Sequence, residues 1–414
     1  MKSLLLPSLL LSILLAGSYA PFQPVEKSYP AVRVASAASG PHFTIDHRDR
    51  PVLSWVGQTG PESHRLFYAV SADGGISFGP PRSVPTSVGV YPHEENLSKI
   101  IYKKNGDMLA VFAVHNPNDQ NAYAGMLYYS QSFDGGKTWT PRRQLSPAKS
   151  ASIDERYFDV SLLPDWEIGI IWLDSRQEAH ADHGAHHAGA SLYFSRTEGQ
   201  KGFVREKRVA GSVCPCCRTK LYLDNQHRLH LTYRAILNDS IRDMVHSVSD
   251  DQGKSFSPAS RISADNWAIH GCPHTGPTMG ANPEGLHFAW HTQGNGQGLF
   301  YCRSTDGGHS FSARENISNV PSAKHPQLTS IKNGPLIIVW DERQAGENSK
   351  GFRIGMQVRS LEGRPQSTQY LTTEEENASY PVVLATAKGE VLVAYSQKAG
   401  EKEEIYCQRI QPQP

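Results

Sequence analysis

Two stretches of the chain carry residue types that could do chemistry: Cys214-Pro215-Cys216-Cys217 and His270-Gly271-Cys272-Pro273-His274. Thiolate sulfur and imidazole nitrogen are ligands that copper and zinc accept. Cys214, Cys216, Cys217, Cys272, His270 and His274 therefore form a candidate metal set, provided the fold brings the two stretches together. In an oxidising compartment the same thiols pair instead, and a disulfide from Cys272 to Cys216 or Cys217 takes precedence over metal in an exported chain. A thiol-redox role is the third option. Cys302 and Cys407 are expected to be small buried thiols.

A second group mixes acids, bases and a phenol: Glu155, Asp174, Arg176, Arg218, Arg234, His325, Arg343 and Tyr380. Gathered in one concave mouth, such groups would bind an anion and exchange protons with it. The plain alternative is that they pair with one another and fix loops.

The bulk properties say little about a charged partner. Lys plus Arg number 41 against 40 Asp plus Glu, so no net field favours nucleic acid or an anionic membrane. The chain opens with Lys2, a Leu-rich run from Leu4 to Leu15 and Ala16-Gly17-Ser18-Tyr19-Ala20. This reads as a signal peptide over residues 1–20 and predicts export to the periplasm or the extracellular space. No later stretch approaches the about 20 apolar residues that a spanning helix needs.

The elements that must position the chemistry are repeats. Ser-x-Asp-x-Gly-x-x-aromatic occurs at Ser71 to Phe78, Ser132 to Trp139, Ser249 to Phe256 and Ser304 to Phe311. Each copy reads as strand, tight turn, strand. Independently, seven apolar runs end on or near an aromatic residue: Val52 to Trp55, Met108 to Phe112, Ile168 to Trp172, Leu229 to Tyr233, Leu286 to Trp290, Leu336 to Trp340 and Val391 to Tyr395. A short strand precedes each run and a hairpin follows it, so the unit is a four-stranded meander.

The expected fold is all-β: a propeller of four-stranded antiparallel blades over residues 41–414, preceded by a segment over 21–40. Seven blades are favoured over six. Unit seven lacks its outer strand, and the alternating stretch Ala31 to Ala35 is expected to supply it. Residues at a constant spacing before the aromatic of the second strand should start each inner strand at the central rim. These are Tyr157, Arg218, Thr275, His325 and Tyr380.

The repeated box resembles the Asp-box of the sialidase-like β-propellers, and as a repeat the resemblance covers nearly all of the chain after the first 40 residues. In that family the box is a structural hairpin away from the catalytic face. Ala378-Ser379-Tyr380-Pro381 and the following Lys388-Gly389-Glu390-Val391-Leu392 look like the stretch that bears the sialidase nucleophilic tyrosine. The resemblance implies that Tyr380 attacks the sugar while a carboxylate takes its proton. The unit-four strand entry where the family's glutamate would be sought holds Arg218, so Glu155, next to Tyr157, stands as its substitute; the resemblance also implies three arginines, here Arg218, Arg234 and Arg343, clamping a ligand carboxylate. The sequence departs from the family in having no Arg-Ile-Pro stretch near its start. The function expected is recognition of an anionic or glycan ligand at the rim, with exo-sialidase hydrolysis as its catalytic form. A copper or zinc protein and a purely protein-binding platform are the competing readings.

Overall fold

The computed structural model describes residues 27–119, 121–146, 154–176, 189–269, 271–343 and 351–412. The stretch expected to be a signal peptide and His270 lie outside the described residues. Among the described residues, apart from a turn of 3-10 helix at Gly199–Lys201, the regular structure is β. No helix among the described residues is long and apolar enough to cross a membrane.

Strand pairing divides the chain into meanders that follow the apolar runs. Unit one comprises Ala38–Ile45, Pro51–Gly60, Ser63–Val70 and Arg82–Ser83, and unit two Lys99–Tyr102, Met108–His115, Gly125–Ser132 and Arg143–Gln144. Units three and four run from Glu155 to Val213 and from Lys220 to Arg261. The pair Val213 and Ala235 joins them into one eight-stranded sheet. Units five and six run from Thr278 to Ser318 and from Lys324 to Tyr370.

Unit seven takes Ala378–Ala385, Val391–Ala399 and Lys402–Gln411 from the C-terminal part. Two N-terminal strands, Lys27–Ser28 and Val32–Ser36, lie antiparallel on Lys402–Gln411, with Val32 opposite Cys407 and Ser36 opposite Glu404. The first strand of each unit packs beside the next unit, and Ala378–Ala385 packs against Ala38–Ile45. The second strands are the most buried: Ile168–Asp174 and Leu336–Glu342 are buried at every residue. Burial on both faces explains their continuous apolar runs.

The box is a local hydrogen-bond device. Ser132 Oγ donates to Asp134 Oδ1 at 2.9 Å and accepts from Gly136 N at 2.8 Å, while Thr138 donates to Asp134 through both its N–H and its hydroxyl. The Ser71, Ser249 and Ser304 copies repeat this pattern. The bonds from Thr138 hold the Asp134 carboxyl at about 2.

The glycine of each hairpin does a second task. Gly136, Gly253 and Gly308 have positive φ, and a Cβ at any of them would run into Tyr68, Phe194 or His246 of the preceding unit. Units three and six, which lack the box, keep the same arrangement: Gly202 faces Tyr129 and Gly363 faces Tyr301. The hairpin glycine is thus a docking surface for the neighbouring blade, and it outlasts the Asp and Ser that first mark the repeat. Gly202→Ala, at a hairpin with no box, is expected to lower stability by about 1–3 kcal/mol through strain and overpacking. Urea unfolding measures this, and an unchanged midpoint would contradict the docking role.

Candidate functional site

The inner strands of units one, three, six and seven each carry a bulge near their start. Register slips between Ser39 and His42, Arg156 and Asp159, Lys324 and Gln327, and Ser379 and Val382. The residue after the first slip position is left-handed: Gly40 at φ 62°, Tyr157 at 55°, His325 at 51° and Tyr380 at 52°. For an aromatic or imidazole side chain this backbone is unfavourable, so the surroundings must hold it.

A bulge releases an N–H from the ladder, and a side chain of the preceding unit or its lead-in accepts it. Tyr157 N donates to Asn96 Oδ1 at 3.2 Å, His325 N to Thr275 Oγ1 at 3.3 Å and Tyr380 N to Asp341 Oδ2 at 2.7 Å. The bulge re-aims Tyr157, His325 and Tyr380, and the acceptor lends each the preceding unit's rigidity.

The rim groups converge in one network. His325 Nδ1 lies 2.7 Å from Asp341 Oδ2, and its Nε2 lies 2.9 Å from Glu95 Oε1. Arg218 reaches the same carboxylate, Nε to Oε2 at 3.1 Å and Nη2 to Oε1 at 3.3 Å, and donates to the Glu94 carbonyl at 3.2 Å. Tyr380 stacks on the His325 ring with centroids 4.3 Å apart, and Arg218 Cζ lies 5.7 Å from the Tyr380 ring centroid. Residues from units two, four, six and seven touch one another, which only the axis of the array permits.

Electrostatics fix the charge states of this network. Burial would lower the His325 pKa, but Asp341 and Glu95 outweigh it and push it up to about 9, so the imidazolium persists at neutral pH. Burial would raise Glu95, but Arg218 and His325 hold it at about 2. Glu94 is raised by burial, and Glu403 is pushed up to about 7 by burial and by Glu94. Burial also raises the Tyr380 phenol, with Glu95, Glu94 and Asp341 adding to it. Arg218 Nη1 is buried with no hydrogen-bond partner among the described residues.

The other candidate residues serve elsewhere. Arg234 is buried and its Nη1 and Nη2 donate to the carbonyls of Arg242, Thr275 and His291, while its Nε has no hydrogen-bond partner among the described residues. Arg343 is exposed, its guanidinium over the Phe352 ring at 4.8 Å. The three arginines expected to form one clamp thus have three different settings: Arg218 joins the axial network, Arg234 lies within the buried strand Leu229–Leu237, and Arg343 is exposed beyond the end of Leu336–Glu342.

Asp174 is buried and accepts from Arg176 through Nε at 2.8 Å and Nη2 at 2.5 Å. Arg176 also reaches Glu206 at 2.6 Å. This closed pair fixes a strand end. Glu155, opposite Asp174 in the sheet, is buried beneath the mouth, and neither of its oxygens has a hydrogen-bond partner among the described residues. Burial, then the Asp174 charge, pushes its pKa up to about 9.

A buried ionic bridge that the sequence does not advertise lies under the same rim. Lys99 of unit two meets Asp159 of unit three at 2.5 Å, and Lys220 of unit four meets it at 3.2 Å. Periodicity alone marks these positions as apolar, so no sequence signal would have found them.

The two Cys and His stretches do meet. Cys214 Sγ lies 3.7 Å from Cys216 Sγ and 3.5 Å from Cys217 Sγ. Ligand atoms of Cys214, Cys216 and Cys217 lie within 4.8 Å of one another, as do those of Cys216, Cys272 and His274. All six cysteines are free, so the bridge expected from Cys272 to Cys216 or Cys217 is absent. The Cys214 sulfur is likewise far beyond bonding distance from those of Cys216 and Cys217. Cys302 and Cys407 are buried. His274 stands beside His93, ring centroids 6.4 Å apart, which places this cluster at the edge of the axial mouth.

Four-stranded antiparallel meanders arranged around a shared mouth define a β-propeller. The BNR repeat-like domain matches residues 90–393, and the chain belongs to that sialidase-like family. No curated protein matches it. Among solved structures, polysaccharide lyase Uly1 is similar at a TM-score of 0.56 and 11% identity, with 90% of each chain covered. The Hadza microbial sialidase Hz136 gives 0.48 at 12% identity, covering 84% of this chain and 74% of its own. The α-L-arabinanase of Penicillium chrysogenum, complexed with arabinobiose, gives 0.46 at 13%, covering 92% and 98%. At such identities the likeness is one of fold.

The buried Glu155 provides a test of the electrostatics. Its folded pKa lies above the unfolded value, so its contribution to stability is full below about pH 4.3 and is lost as pH rises toward 9. Glu155→Gln copies the neutral form. The variant is expected to match the wild type near pH 4 and to exceed it increasingly toward pH 8, by on the order of a few kcal/mol. Urea unfolding at the two pH values checks this, and a difference that does not grow with pH would show that Glu155 is ionised in the fold.

Proposed function

We propose that the protein is an exported propeller that binds an acidic glycan at the axial mouth and cleaves its terminal acidic sugar in the sialidase manner. The observation that carries this reading is the buried Nη1 atom of half-buried Arg218, which has no hydrogen-bond partner among the described residues. Its other two nitrogens are held by Glu95 and Glu94, so the guanidinium is pre-aligned and retains one donor for a ligand oxygen. A cationic donor without an acceptor in a buried setting is costly, and a carboxylate or hydroxyl of a sugar supplies what is missing.

The neighbouring groups suit reaction as well as binding. Tyr380 is the nucleophile in this proposal, presented by its bulge and held flat against the His325 imidazolium. Its phenol is too weak an acid to ionise by itself, so a carboxylate must accept the proton during attack. Glu94 suits that task better than Glu95, whose pKa is held at about 2 by two cations. Carbohydrate as the substrate class is further supported by Uly1, which is described as a polysaccharide lyase.

Binding and turnover separate the parts of the proposal. On a panel of sialosides and uronate-bearing glycans, Arg218→Lys is expected to weaken binding about 10- to 100-fold, since the point charge remains but the fork is lost. Tyr380→Phe is expected to leave binding within a few-fold and to reduce turnover roughly 10³-fold or more. Calorimetry and reducing-sugar release measure the two quantities. Wild-type protein that binds none of the panel ends the glycan reading; binding without turnover ends the hydrolytic step alone.

A further inference from the structure

The axial network makes no use of the four cysteines between units four and five. We propose that Cys214, Cys216 and Cys217 hold one copper(I) ion in trigonal thiolate coordination, with Cys272 and His274 forming the solvent-facing end through which the ion is exchanged. This site is independent of the glycan reading.

The ligand count argues for copper. The three buried sulfurs stand within reach of a single ion, and no fourth His, Cys or carboxylate among the described residues joins that set. Structural zinc takes four ligands in a tetrahedron, whereas copper(I) is soft and is satisfied by three thiolates. Cys216 belongs to both groups of ligands. Cys272 and His274 are exposed while Cys214, Cys216 and Cys217 are buried, so the five residues run from solvent to the interior.

The surroundings are built for charge on sulfur. Three thiolates around a monovalent ion leave a net negative site in a buried place, which requires cations nearby. Arg242 Nη1 lies 3.3 Å from Cys214 Sγ, and its Nε donates to the Ile269 carbonyl at 3.3 Å. One side chain thus bonds the buried sulfur and the segment leading to Cys272. Cys214 N donates to the Arg234 carbonyl at 2.9 Å, while the Arg234 guanidinium is fixed by three carbonyls of the surrounding strands. Outer partners of this kind orient metal ligands, whereas an inert buried thiol has no use for an arginine donor. Binding replaces three S–H bonds by copper–sulfur bonds and releases the protons to solvent, with no change of oxidation state.

The test uses the full chain, reduced and kept anaerobic, titrated with copper(I) in competition with bicinchoninate. One equivalent per chain should be retained, with a three-sulfur shell by X-ray absorption, and Cys302→Ser or Cys407→Ser should leave it unchanged. Cys216→Ser should lose the ion. Because that thiol is buried, a second variant that alters only exposed groups, Cys272→Ser with His274→Ala, keeps the test independent of folding: it should retain one equivalent and release it to the chelator about tenfold more slowly. No retained copper in the reduced wild type, retention unaffected by Cys216→Ser, a preference for zinc in a four-ligand shell, or loss of the ion from the double variant would each overturn the assignment.

Discussion

The His325 imidazolium, held between Asp341 of its own unit and Glu95 of the unit-two lead-in, is the contact on which the axial arrangement turns. A buried cation needs compensation from more than one side, and here its two partners come from opposite parts of the chain. Glu95 in turn fixes Arg218, and Asp341 accepts the Tyr380 amide. One protonated ring therefore sets the positions of an acid, a base, a guanidinium and a phenol. The left-handed backbone at His325 and Tyr380 is what allows their side chains to reach it, and side-chain acceptors on neighbouring units stabilise that backbone.

The periphery follows a different rule. Charged and aromatic groups crowd the axis, whereas the outer hairpins dock through glycine, with a ring of the previous unit filling the space where a side chain would stand. Gly202 and Gly363 show that this steric role is separable from the Ser and Asp bonding of the box, since both persist where the box is lost. The units are tied twice: by shape at the outer hairpins and by hydrogen bonds and ion pairs near the axis. Such double fixing holds the groups at the mouth in fixed relation to one another.

The thiol cluster sits beside the mouth without joining its network. His274 stands near His93 on one side and shares a ligand group with Cys216 on the other, while its carbonyl lies 3.2 Å from His325 Nε2. A single segment of unit five thus lines both places.

Much of the architecture was legible in the sequence, because a repeat writes the same constraint many times. Alternating and continuous apolar runs mark the strands, the Ser-Asp-Gly box marks the hairpins, and a constant spacing picks out Tyr157, His325 and Tyr380. What lay beyond reach were relations between units. The sequence could not say that Arg218 meets Glu95, that Lys99 and Lys220 share Asp159, or that Arg234 turns inward to carbonyls instead of outward to a ligand. Nor could it decide between bonded and separate sulfurs in Cys214, Cys216, Cys217 and Cys272. Local pattern specifies each strand and turn because those depend on neighbours in the chain; the pairing of charges at the axis depends on which distant strands the ring brings face to face, and only the tertiary structure determines that.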